Sequence, residues 1–595
     1  MLIFLLNSIY LAGIRCHLYA RSDRMSKEQA IRVCYDLEIP MRDGVILRGN
    51  LYAPEEAAPG PVILLRFPYL KDSFEFFWGK LNPLPLARAG YRVLLQDLRG
   101  TGHSQGEMDF DGPCQKRDGY DTVEWIAAQP WCDGNVGMYG LSYYGFTQLL
   151  TAETRPPHLK AIAPWMQTGL YKYRGGFTTG SLHLMWLLER CRDRLSGDYC
   201  TMPEPDRTNA LRQVEHYLGS FPQVVGYPRE DDNPAAKIPE LPLLRDYLRR
   251  VAECDDPATM AREGRPIDFD KIDIPCFFLG GWYDDTSKNG PIENWMAIQS
   301  GPRGQERIAR CAMVMGPWNH GEAMPDRVGM RAFGAAAGYP MGRSVSDQLI
   351  RFFDRYLKGE DNGWDKEAPV KYFLMGENAW HGAPQWPLPG SAERRLYLGG
   401  SGTLEASCGE NGCGSYFSDP AKPVPARMPG INSECQEQSY AEAREDVAVY
   451  TSAPLREDLQ VVGAVKAVLY VSSDCPDTDI VCKLTQVLPN GQSINLTDGA
   501  VRVSYNNGWS RSFLTPGEVR RVEVDMGNTG NLFPAGSRVR LDISGSAFPK
   551  YDRNHHVAAR VGSTEQWAVS HDTLHFGRDF PSCLILTTQA TERQG

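Results

Sequence analysis

Short apolar runs alternate with amphipathic stretches along the first 165 residues of the chain. The apolar runs are PVILLRFPY, YRVLLQD, NVGMYGL and LKAIAPW, and the stretches between them that can form helices are LNPLPLARAG, GYDTVEWIAAQ and YYGFTQLLTAE. Strands that are apolar throughout and alternate with helices are typical of a parallel sheet covered by helices on both faces. Ahead of them, IRVCYDLEIP and GVILRGNLYAP flank the turn tripeptide Arg42-Asp43-Gly44 and predict an antiparallel hairpin.

The pattern changes twice further along the chain. Residues 166–264 lose the alternation and become helical in character, aromatic and charged, as in LHLMWLLERCRDRL and LLRDYLRRVAE. Strand-like runs return in IDIPCFFLGGWYDD and RIARCAMVMGPWNH, and SVSDQLIRFFDRYLKGE then predicts a closing helix. After residue 370 the chain consists of short alternating runs separated by turn residues, such as AVKAVLYVSS and RRVEVDMG. That texture is typical of an all-β sandwich.

These patterns predict an α/β protein with a second, all-β domain. Residues 25–165 and 265–370 are expected to form one α/β domain, and residues 166–264 a helical cap inserted into it. Residues 371–595 are expected to form a C-terminal β-sandwich of the jelly-roll type. A chain of 595 residues is too long for one ordinary core, so two large units are expected on length alone.

The first residues, MLIFLLNSIYLAG, are apolar but reach only about half of the ~20 residues that a membrane-spanning helix needs. They also lack a positively charged start and a small-residue cleavage site. We therefore expect residues 1–24, which precede a second candidate start at Met25, to be poorly ordered or dispensable, and the protein to be cytoplasmic. The alternative is an N-terminal signal or a short membrane-associated segment.

Charge and cysteine content exclude other classes of function. The formal net charge is -10, and no long run of Lys or Arg makes a basic stripe, so nucleic acid is not an expected partner. The 15 cysteines include no C-x-x-C pair, and Cys408 and Cys413 have no matching histidine pair for zinc. We expect free thiols, no metal and no cofactor. A homo-oligomer is compatible with the sequence.

Two serines compete for the role of a nucleophile. A literal G-x-S-x-G occurs as GHSQG around Ser104, but it leads into GEMDFDGPCQKRDG, which is too rich in Gly, Pro and Asp to predict a helix. Ser142, in MYGLSYYGF, directly follows an apolar strand and directly precedes a predicted helix. That strand–turn–helix context is what a nucleophile elbow requires. Ser142 is the better candidate, although a serine that only caps a helix would give the same local pattern.

An acyl-transfer serine needs a base and a carboxylate that orients the base, and in this fold they follow the serine in the order Asp, His. Asp284 follows the strand CFFLGGWY, and His320 follows the strand CAMVMGPWN. Both lie just past the carboxyl end of an apolar strand, where sheets of this type place their sites. From the residues alone, Asp285 remains an alternative to Asp284.

Several of these stretches together resemble one family, the cocaine esterase-like (CocE/NonD) serine hydrolases, which include X-Pro dipeptidyl-peptidases and α-amino acid ester hydrolases. The matching stretches occur in the family's order between residues 66 and 554: FPYLK, QDLRGTGHSQG, GMYGLSYYGF, GGWYDD, GPWNH and SAFPKYDRN. The family elbow is G-x-S-Y-x-G, so the position of Gly145 is the expected one. The resemblance implies that the α/β domain of residues 25–165 and 265–370 is an α/β-hydrolase domain. It also implies Asp284 rather than Asp285 as the acid.

The predicted chemistry is attack by Ser142 on an acyl carbonyl, with His320 as the base and Asp284 orienting it. The backbone N–H of Tyr143 is one expected oxyanion donor, and the resemblance implies the hydroxyl of Tyr69 as the second. Aromatic residues near the site could line an acyl pocket or belong to the core: Trp165, Trp282 and Tyr171.

The expected substrate is a small-molecule ester or amide of a small to medium hydrophobic acyl group. No carboxylate cluster suited to a substrate ammonium is evident in the sequence, and we expect no counterpart of the long N-terminal domain that some dipeptidyl-peptidases of the resembling family carry. The alternatives are X-Pro or other dipeptidyl-peptidase or aminopeptidase activity, acyl transfer or cyclisation in a biosynthetic pathway, and a non-catalytic binding protein.

Overall fold

The computed structural model describes most of the chain outside the predicted cap. The described residues are 30–55, 58–72, 82–108, 113–167, 177–178, 181–182, 208–209, 212, 267–284, 287, 289–320, 326–426, 435–505, 511–559 and 566–589. The predictions for residues 1–24 and for nearly all of the cap at 166–264, Tyr171 included, lie outside the described residues.

A ten-stranded sheet forms the centre of the first domain, and its order is β1-β2-β4-β3-β5-β6-β7-β8-β9-β10. The strands from β3 to β9 pair in parallel, whereas β1, β2 and β10 pair antiparallel with their neighbours. This confirms the predicted N-terminal hairpin and the predicted parallel sheet. The strands are β1 Ile31–Pro40, β2 Ile46–Pro54, β3 Gly60–Phe67, β4 Arg92–Asp97, β5 Cys132–Leu141, β6 Leu159–Trp165, β7 Phe277–Tyr283, β8 Ala312–Asn319, β9 Val370–Leu374 and β10 Ala379–Ala383.

Helices connect the parallel strands and cover the sheet. The closing helix is strongly amphipathic: Ser344 accepts a hydrogen bond from the backbone N–H of Asp347 at its start, and Leu349, Phe352 and Phe353 are buried. The α-helices are α1 Leu84–Arg88, α2 Pro113–Ala127, α3 Tyr143–Glu153, α4 Gly290–Ser300, α5 Gly304–Ile308 and α6 Val345–Leu357. Short 3₁₀ turns occur at Phe269–Lys271, Ala335–Gly338, Pro340–Gly342 and Trp364–Lys366, and two-residue strands at Phe177–Thr178, Ser181–Leu182, Arg327–Val328 and Arg331–Ala332.

Helix α2 begins earlier along the chain than predicted. The segment around Pro113 was expected to be too rich in Gly, Pro and Asp for a helix, yet α2 begins at Pro113. A proline is tolerated in the first helical turn because its missing N–H would have no intrahelical acceptor there. Asp118 of the same segment is stabilised inside the helix by an ion pair with Arg99, whose Nη2 lies 2.7 Å from its carboxylate.

The first sheet continues past residue 370, where the second domain was predicted to begin. Strand β9 pairs in parallel with β8, and β10 pairs with β9 as a hairpin, so both strands hydrogen-bond into the first sheet. Such an edge hairpin has the same short alternating pattern as the strands of an all-β domain. The last strand of the first sheet therefore ends at residue 383.

The C-terminal domain is β-rich, as predicted, and its strands form a single hydrogen-bonded network. Residues from all eleven strands contribute to one buried apolar cluster, so the network bends around a common core. The strands are β11 Ala392–Gly399, β12 Thr403–Glu405, β13 Gly412–Ser418, β14 Val447–Ser452, β15 Leu459–Ser473, β16 Asp479–Val487, β17 Ser493–Arg502, β18 Arg520–Phe533, β19 Arg538–Ser544, β20 Ser570–Phe576 and β21 Cys583–Gln589. Helix α7 is Ser439–Glu442, and 3₁₀ turns occur at Gly400–Gly402 and Val503–Tyr505.

Within the described part of the chain, the cysteines are all free thiols. Six of them are buried: Cys276, Cys311, Cys435, Cys475, Cys482 and Cys583. No helix within the described ranges has the length and apolar character to cross a membrane.

Candidate active site

Ser142 lies in the sharp turn between β5 and α3, at the carboxyl edge of the parallel sheet. Its backbone has φ 57° and ψ -123°, a conformation that non-glycine residues rarely adopt. The turn is held on both sides: the Ser142 N–H donates to the carbonyl of Trp165 at 2.8 Å, and the Ser142 carbonyl accepts from the N–H of Gly145 at 2.9 Å. The strained turn thus places the hydroxyl at the N-terminal end of α3.

Gly145, the second glycine of MYGLSYYGF, is required for a steric reason. A Cβ atom on Gly145 would lie 2.5 Å from Cγ of Gln167 and 3.1 Å from the carbonyl oxygen of Trp165. The first turn of α3 therefore packs directly against the chain leaving β6. Glycine is required at this position because the helix approaches the neighbouring strand, independently of the conformation of the serine.

His320 and Asp284 come to Ser142 from the ends of the two adjacent strands β8 and β7. Asn319 and Tyr283 are register partners, so the residue after each lies at the same edge of the sheet as Ser142. His320 Nε2 lies 2.9 Å from Ser142 Oγ, and His320 Nδ1 lies 3.0 Å from Asp284 Oδ1 and 3.1 Å from Oδ2. The three side chains form a continuous hydrogen-bonded chain. Asp285 lies outside the described residues.

The Asp284 carboxylate is fully buried, and its charge is compensated from two directions. The backbone N–H of Ser287 donates to Oδ1 at 3.0 Å, and the Ser287 hydroxyl donates to Oδ2 at 2.6 Å. Burial alone would raise the pKa of Asp284, but the charge and hydrogen bond of His320 and the two bonds from Ser287 outweigh it and lower that pKa below its usual value. Asp284 is therefore a carboxylate at neutral pH. Sequence reasoning missed Ser287, although a serine three residues after an aspartate is a signal for such a turn.

The competing Ser104 has a structural role away from this chain of side chains. Its hydroxyl donates to the carbonyl of Asp97 at 2.8 Å and accepts from the backbone N–H of Arg48 at 2.9 Å. These bonds tie the loop after β4 to strand β2. Ser104 thus fixes a loop, in agreement with its poor elbow context.

The two residues predicted to supply oxyanion donors, Tyr143 and Tyr69, both lie beside the elbow. Tyr143 is the first residue of α3, so its backbone N–H is at the N-terminal end of that helix. Tyr69 follows β3, and its ring meets the ring of Tyr144 edge-on, with centroids 5.5 Å apart. Strand β3 is the neighbour of β5, so the loop that carries Tyr69 lies next to the turn that carries Ser142.

The Tyr69 loop is anchored by a buried charge cluster that sequence reasoning missed. The backbone N–H of Lys71 donates to Asp97 Oδ1 at 2.5 Å, and the buried Lys71 ammonium lies 2.7 Å from Asp36 and 2.9 Å from Asp72. Burial raises the pKa of Asp97 to about 6, although bonds from His103 and Lys71 oppose it. The loop geometry next to the elbow is therefore over-determined by hydrogen bonds and ion pairs.

For two of the aromatic residues that could line a pocket or belong to the core, the structure favours the core. Trp165 is buried between Tyr139 and Phe277, with ring centroids 5.2 and 6.2 Å away. Trp282 is only 1% exposed, and its indole N–H donates to the carbonyl of Phe373 at 2.8 Å. Both indoles belong to the core rather than to an open acyl pocket, because large aromatic side chains serve cores as readily as sites.

Comparisons with known proteins cover almost the whole chain. A family model for X-Pro dipeptidyl-peptidase (S15 family) matches residues 43–322, and one for the X-Pro dipeptidyl-peptidase C-terminal non-catalytic domain matches residues 362–585. Cocaine esterase from Rhodococcus sp. (strain MB1 Bresler) is 33% identical over 582 residues, which is 93% of this chain and 98% of that enzyme.

Two solved structures share the fold at lower identity. An α-amino acid ester hydrolase has a TM-score of 0.75 at 22% identity, over 97% of this chain and 100% of its own. An aminopeptidase from the marine sediment archaeon Thaumarchaeota archaeon has a TM-score of 0.73 at 21% identity, with the same coverage of both chains. The architecture is thus α/β-hydrolase-like with a C-terminal β-rich domain.

Proposed function

The chain belongs to the cocaine esterase-like family of serine hydrolases, and from this premise we propose that it cleaves an ester or amide of a small to medium hydrophobic acyl group through Ser142, His320 and Asp284. The observation that carries the proposal is the unbroken chain of contacts from Ser142 Oγ through His320 to Asp284. A serine hydroxyl is a weak nucleophile until an adjacent base removes its proton, and this chain supplies that base and its orienting carboxylate.

In the acylation step, Ser142 Oγ attacks the carbonyl carbon while its proton passes to His320 Nε2. The buried Asp284 carboxylate accepts the Nδ1–H of His320, which fixes the tautomer and stabilises the imidazolium that forms. The imidazolium then gives its proton to the leaving alcohol or amine as the bond to the carbonyl carbon breaks. The acyl group is left as an ester on Ser142.

In the deacylation step, a water molecule replaces the leaving group. His320 removes a proton from the water, which attacks the acyl carbon, and the same proton returns to Ser142 Oγ when the acyl–enzyme bond breaks. The products are the free acid and the enzyme in its starting state.

We propose two donors for the negative oxygen of the tetrahedral intermediates: the backbone N–H of Tyr143 and the hydroxyl of Tyr69. Preorganised donors stabilise charge most where it develops, and their placement beside Ser142 supports the assignment. The anchoring of the Tyr69 loop by Lys71 and Asp97 also supports it, because an oxyanion donor has to be held before the reaction starts.

Replacing Tyr69 by Phe is expected to lower kcat by about a hundredfold or more, as for loss of one oxyanion donor. Phe keeps the ring that packs on Tyr144, so the loop is expected to stay in place. The measurement is steady-state hydrolysis of an aryl ester. Tyr91→Phe is the matched control, because it removes a hydroxyl that donates to Asp354 at 2.7 Å, and it is expected to retain the wild-type kcat. A wild-type kcat in Tyr69→Phe removes that hydroxyl from the mechanism.

The substrate class is best tested with a panel of aryl esters, amino-acid amides and X-Pro anilides. We expect aryl esters of hydrophobic acids to give the largest kcat/KM, since the relative with 33% identity is an esterase. Preferential cleavage of X-Pro anilides would instead support the peptidase activity for which the matching family model is named. Transfer of the acyl group to an added alcohol or amine in preference to water would support the acyltransferase alternative.

For the finer architecture we propose a helical cap formed by residues 166–264 and a jelly-roll arrangement of the C-terminal strands. The helical and aromatic character of the insertion supports the cap, and the chain leaves β6 at the same edge of the sheet that carries Ser142. The common core of the eleven C-terminal strands supports the sandwich. A cap in this position would exclude water while an acyl group binds.

A further inference from the structure

The segment that carries Asp284 is held by the C-terminal domain on both sides of the acid. Asp284 follows the last two residues of β7, Trp282 and Tyr283, and precedes Asn289, the residue directly before α4. Each of these three neighbours contacts a residue of the C-terminal domain. The contacts come from strands β17 and β18, more than 200 residues further along the chain.

The tightest of these contacts is between Trp282 and Gly530. A Cβ atom on Gly530 would lie 2.9 Å from Cε2 and Cζ2 of the Trp282 indole and 3.0 Å from its Nε1. The indole is also held from the first domain, where its N–H donates to the Phe373 carbonyl. Trp282 is therefore held by contacts with both domains. Because Gly530 has no side chain, the indole can pack directly against the backbone of β18.

The remaining contacts act on the other residues around the acid. The Tyr283 hydroxyl donates to the carbonyl of Asn495 at 3.3 Å. The side-chain amide of Asn528 donates to Oδ1 of Asn289 at 2.9 Å.

Strand β18 is itself fixed to the first sheet. The Met375 N–H donates to the Gly530 carbonyl at 2.9 Å, and the Leu532 N–H donates to the Met375 carbonyl at 2.7 Å. Strand β18 thus lies against the carboxyl end of β9 in a defined register.

We propose that strand β18, through Gly530 and Asn528, is a positioning element for Asp284, so that the C-terminal domain contributes to the rate of the chemical step. The inference rests on the proposed role of Asp284. Trp282 and Asn289 bracket the acid, so a shift of either one moves the carboxylate relative to His320. A displacement of about 1 Å in a catalytic array can cost about a hundredfold in rate.

The test is Gly530→Ala in the full-length chain. Gly530 does not have a positive φ, so the added methyl group causes no backbone strain of that kind, and its three nearest atoms all belong to Trp282. We expect kcat for an aryl ester to fall by about tenfold or more with KM changed by less than about twofold, because the acid is displaced while the substrate site is not. The rate at which a fluorophosphonate labels Ser142 should fall by the same factor.

Rescue separates positioning from general destabilisation. Phe at position 282 lacks the indole atoms nearest to the added methyl group, so Gly530→Ala should cost much less in a Trp282→Phe background than in the wild type. Gly412→Ala is the matched control: its Cβ would lie 2.6 Å from the Phe576 ring, also within the C-terminal domain but on edge strand β13. It is expected to lower the unfolding temperature and to leave kcat and the labelling rate unchanged.

Three results would overturn the inference: a wild-type kcat in folded Gly530→Ala, an equal loss of kcat in Gly412→Ala, or no rescue by Trp282→Phe. If Gly530→Ala does not fold, Asn528→Ala tests the inference instead. A kcat about threefold or more below the wild-type value would support positioning, and a wild-type kcat would contradict it. Failure of the proposed function would look different, because Ser142→Ala would then retain activity whatever the variants of β18 do.

Discussion

Ser142→Ala is expected to lower kcat by about 10⁶-fold, which for most substrates is a complete loss of turnover. The reason is that the proposed acyl–enzyme forms on the Ser142 hydroxyl, and alanine has no oxygen that His320 could activate. The backbone strain at Ser142 is unchanged by alanine, so the folded state should keep its unfolding temperature. Hydrolysis of an aryl ester, followed at saturating substrate, measures the loss.

Ser104→Ala is the matched control for this prediction. It removes the serine of the literal G-x-S-x-G motif, whose hydroxyl donates to Asp97 and accepts from Arg48. We expect Ser104→Ala to keep kcat within about tenfold of wild type, since loss of two loop bonds affects stability before chemistry. The reverse pattern, an active Ser142→Ala and an inactive Ser104→Ala, would assign the chemistry to the other loop.

Asp284→Asn is expected to lower kcat by about 10⁴-fold, the scale seen when an orienting carboxylate is replaced by its amide. An amide can present an N–H to His320 Nδ1 and so favour the tautomer that cannot take the serine proton. It also leaves one of the two Ser287 donors without its carboxylate acceptor. Because the pKa of Asp284 is held below its usual value, the wild-type acid stays charged at mildly acidic pH, and any loss of wild-type activity between about pH 5 and 7 is not due to Asp284.

The same assay decides this second prediction. Asp273→Asn serves as its control, since Asp273 pairs with Arg310 at 2.6 Å in the loop before β7 and takes no part in the proposed chemistry. It is expected to retain the wild-type kcat. An Asp284→Asn enzyme within tenfold of wild type would show that another carboxylate orients His320.

In the first domain, the sequence patterns correctly predicted elements whose bounds depend on residues close together in the sequence. The stretch YYGFTQLLTAE was expected to be helical, and α3 spans Tyr143–Glu153, because the strained turn at Ser142 and the prolines at 156 and 157 limit it at both ends. The start of α2 was missed since proline was weighed as a breaker rather than as a first-turn residue. That β9 and β10 pair into the first sheet was not predicted, because the sheet that an edge strand joins depends on residues far away in the sequence.

The candidate active site was likewise predictable where it depends on residues close together in the sequence, and not where it depends on distant ones. The positions of Ser142, Asp284 and His320 at strand ends were readable from the sequence, as was the elbow at Ser142. The supporting contacts were not: the Lys71–Asp97 anchor and the packing of Gly530 on Trp282 depend on residues brought together by the fold. Burial decided against Trp165 and Trp282 as pocket residues, and burial of an aromatic cannot be inferred from its type.

The most direct test of the central claim is covalent labelling of the wild-type protein with a fluorophosphonate, followed by mass spectrometry of its peptides. The proposed mechanism predicts one phosphonyl group per chain, on Ser142, with loss of esterase activity in proportion to labelling. It also predicts that Ser142→Ala is not labelled and that Asp284→Asn is labelled much more slowly. A wild-type protein that hydrolyses esters but is labelled on another residue, or not at all, would contradict it.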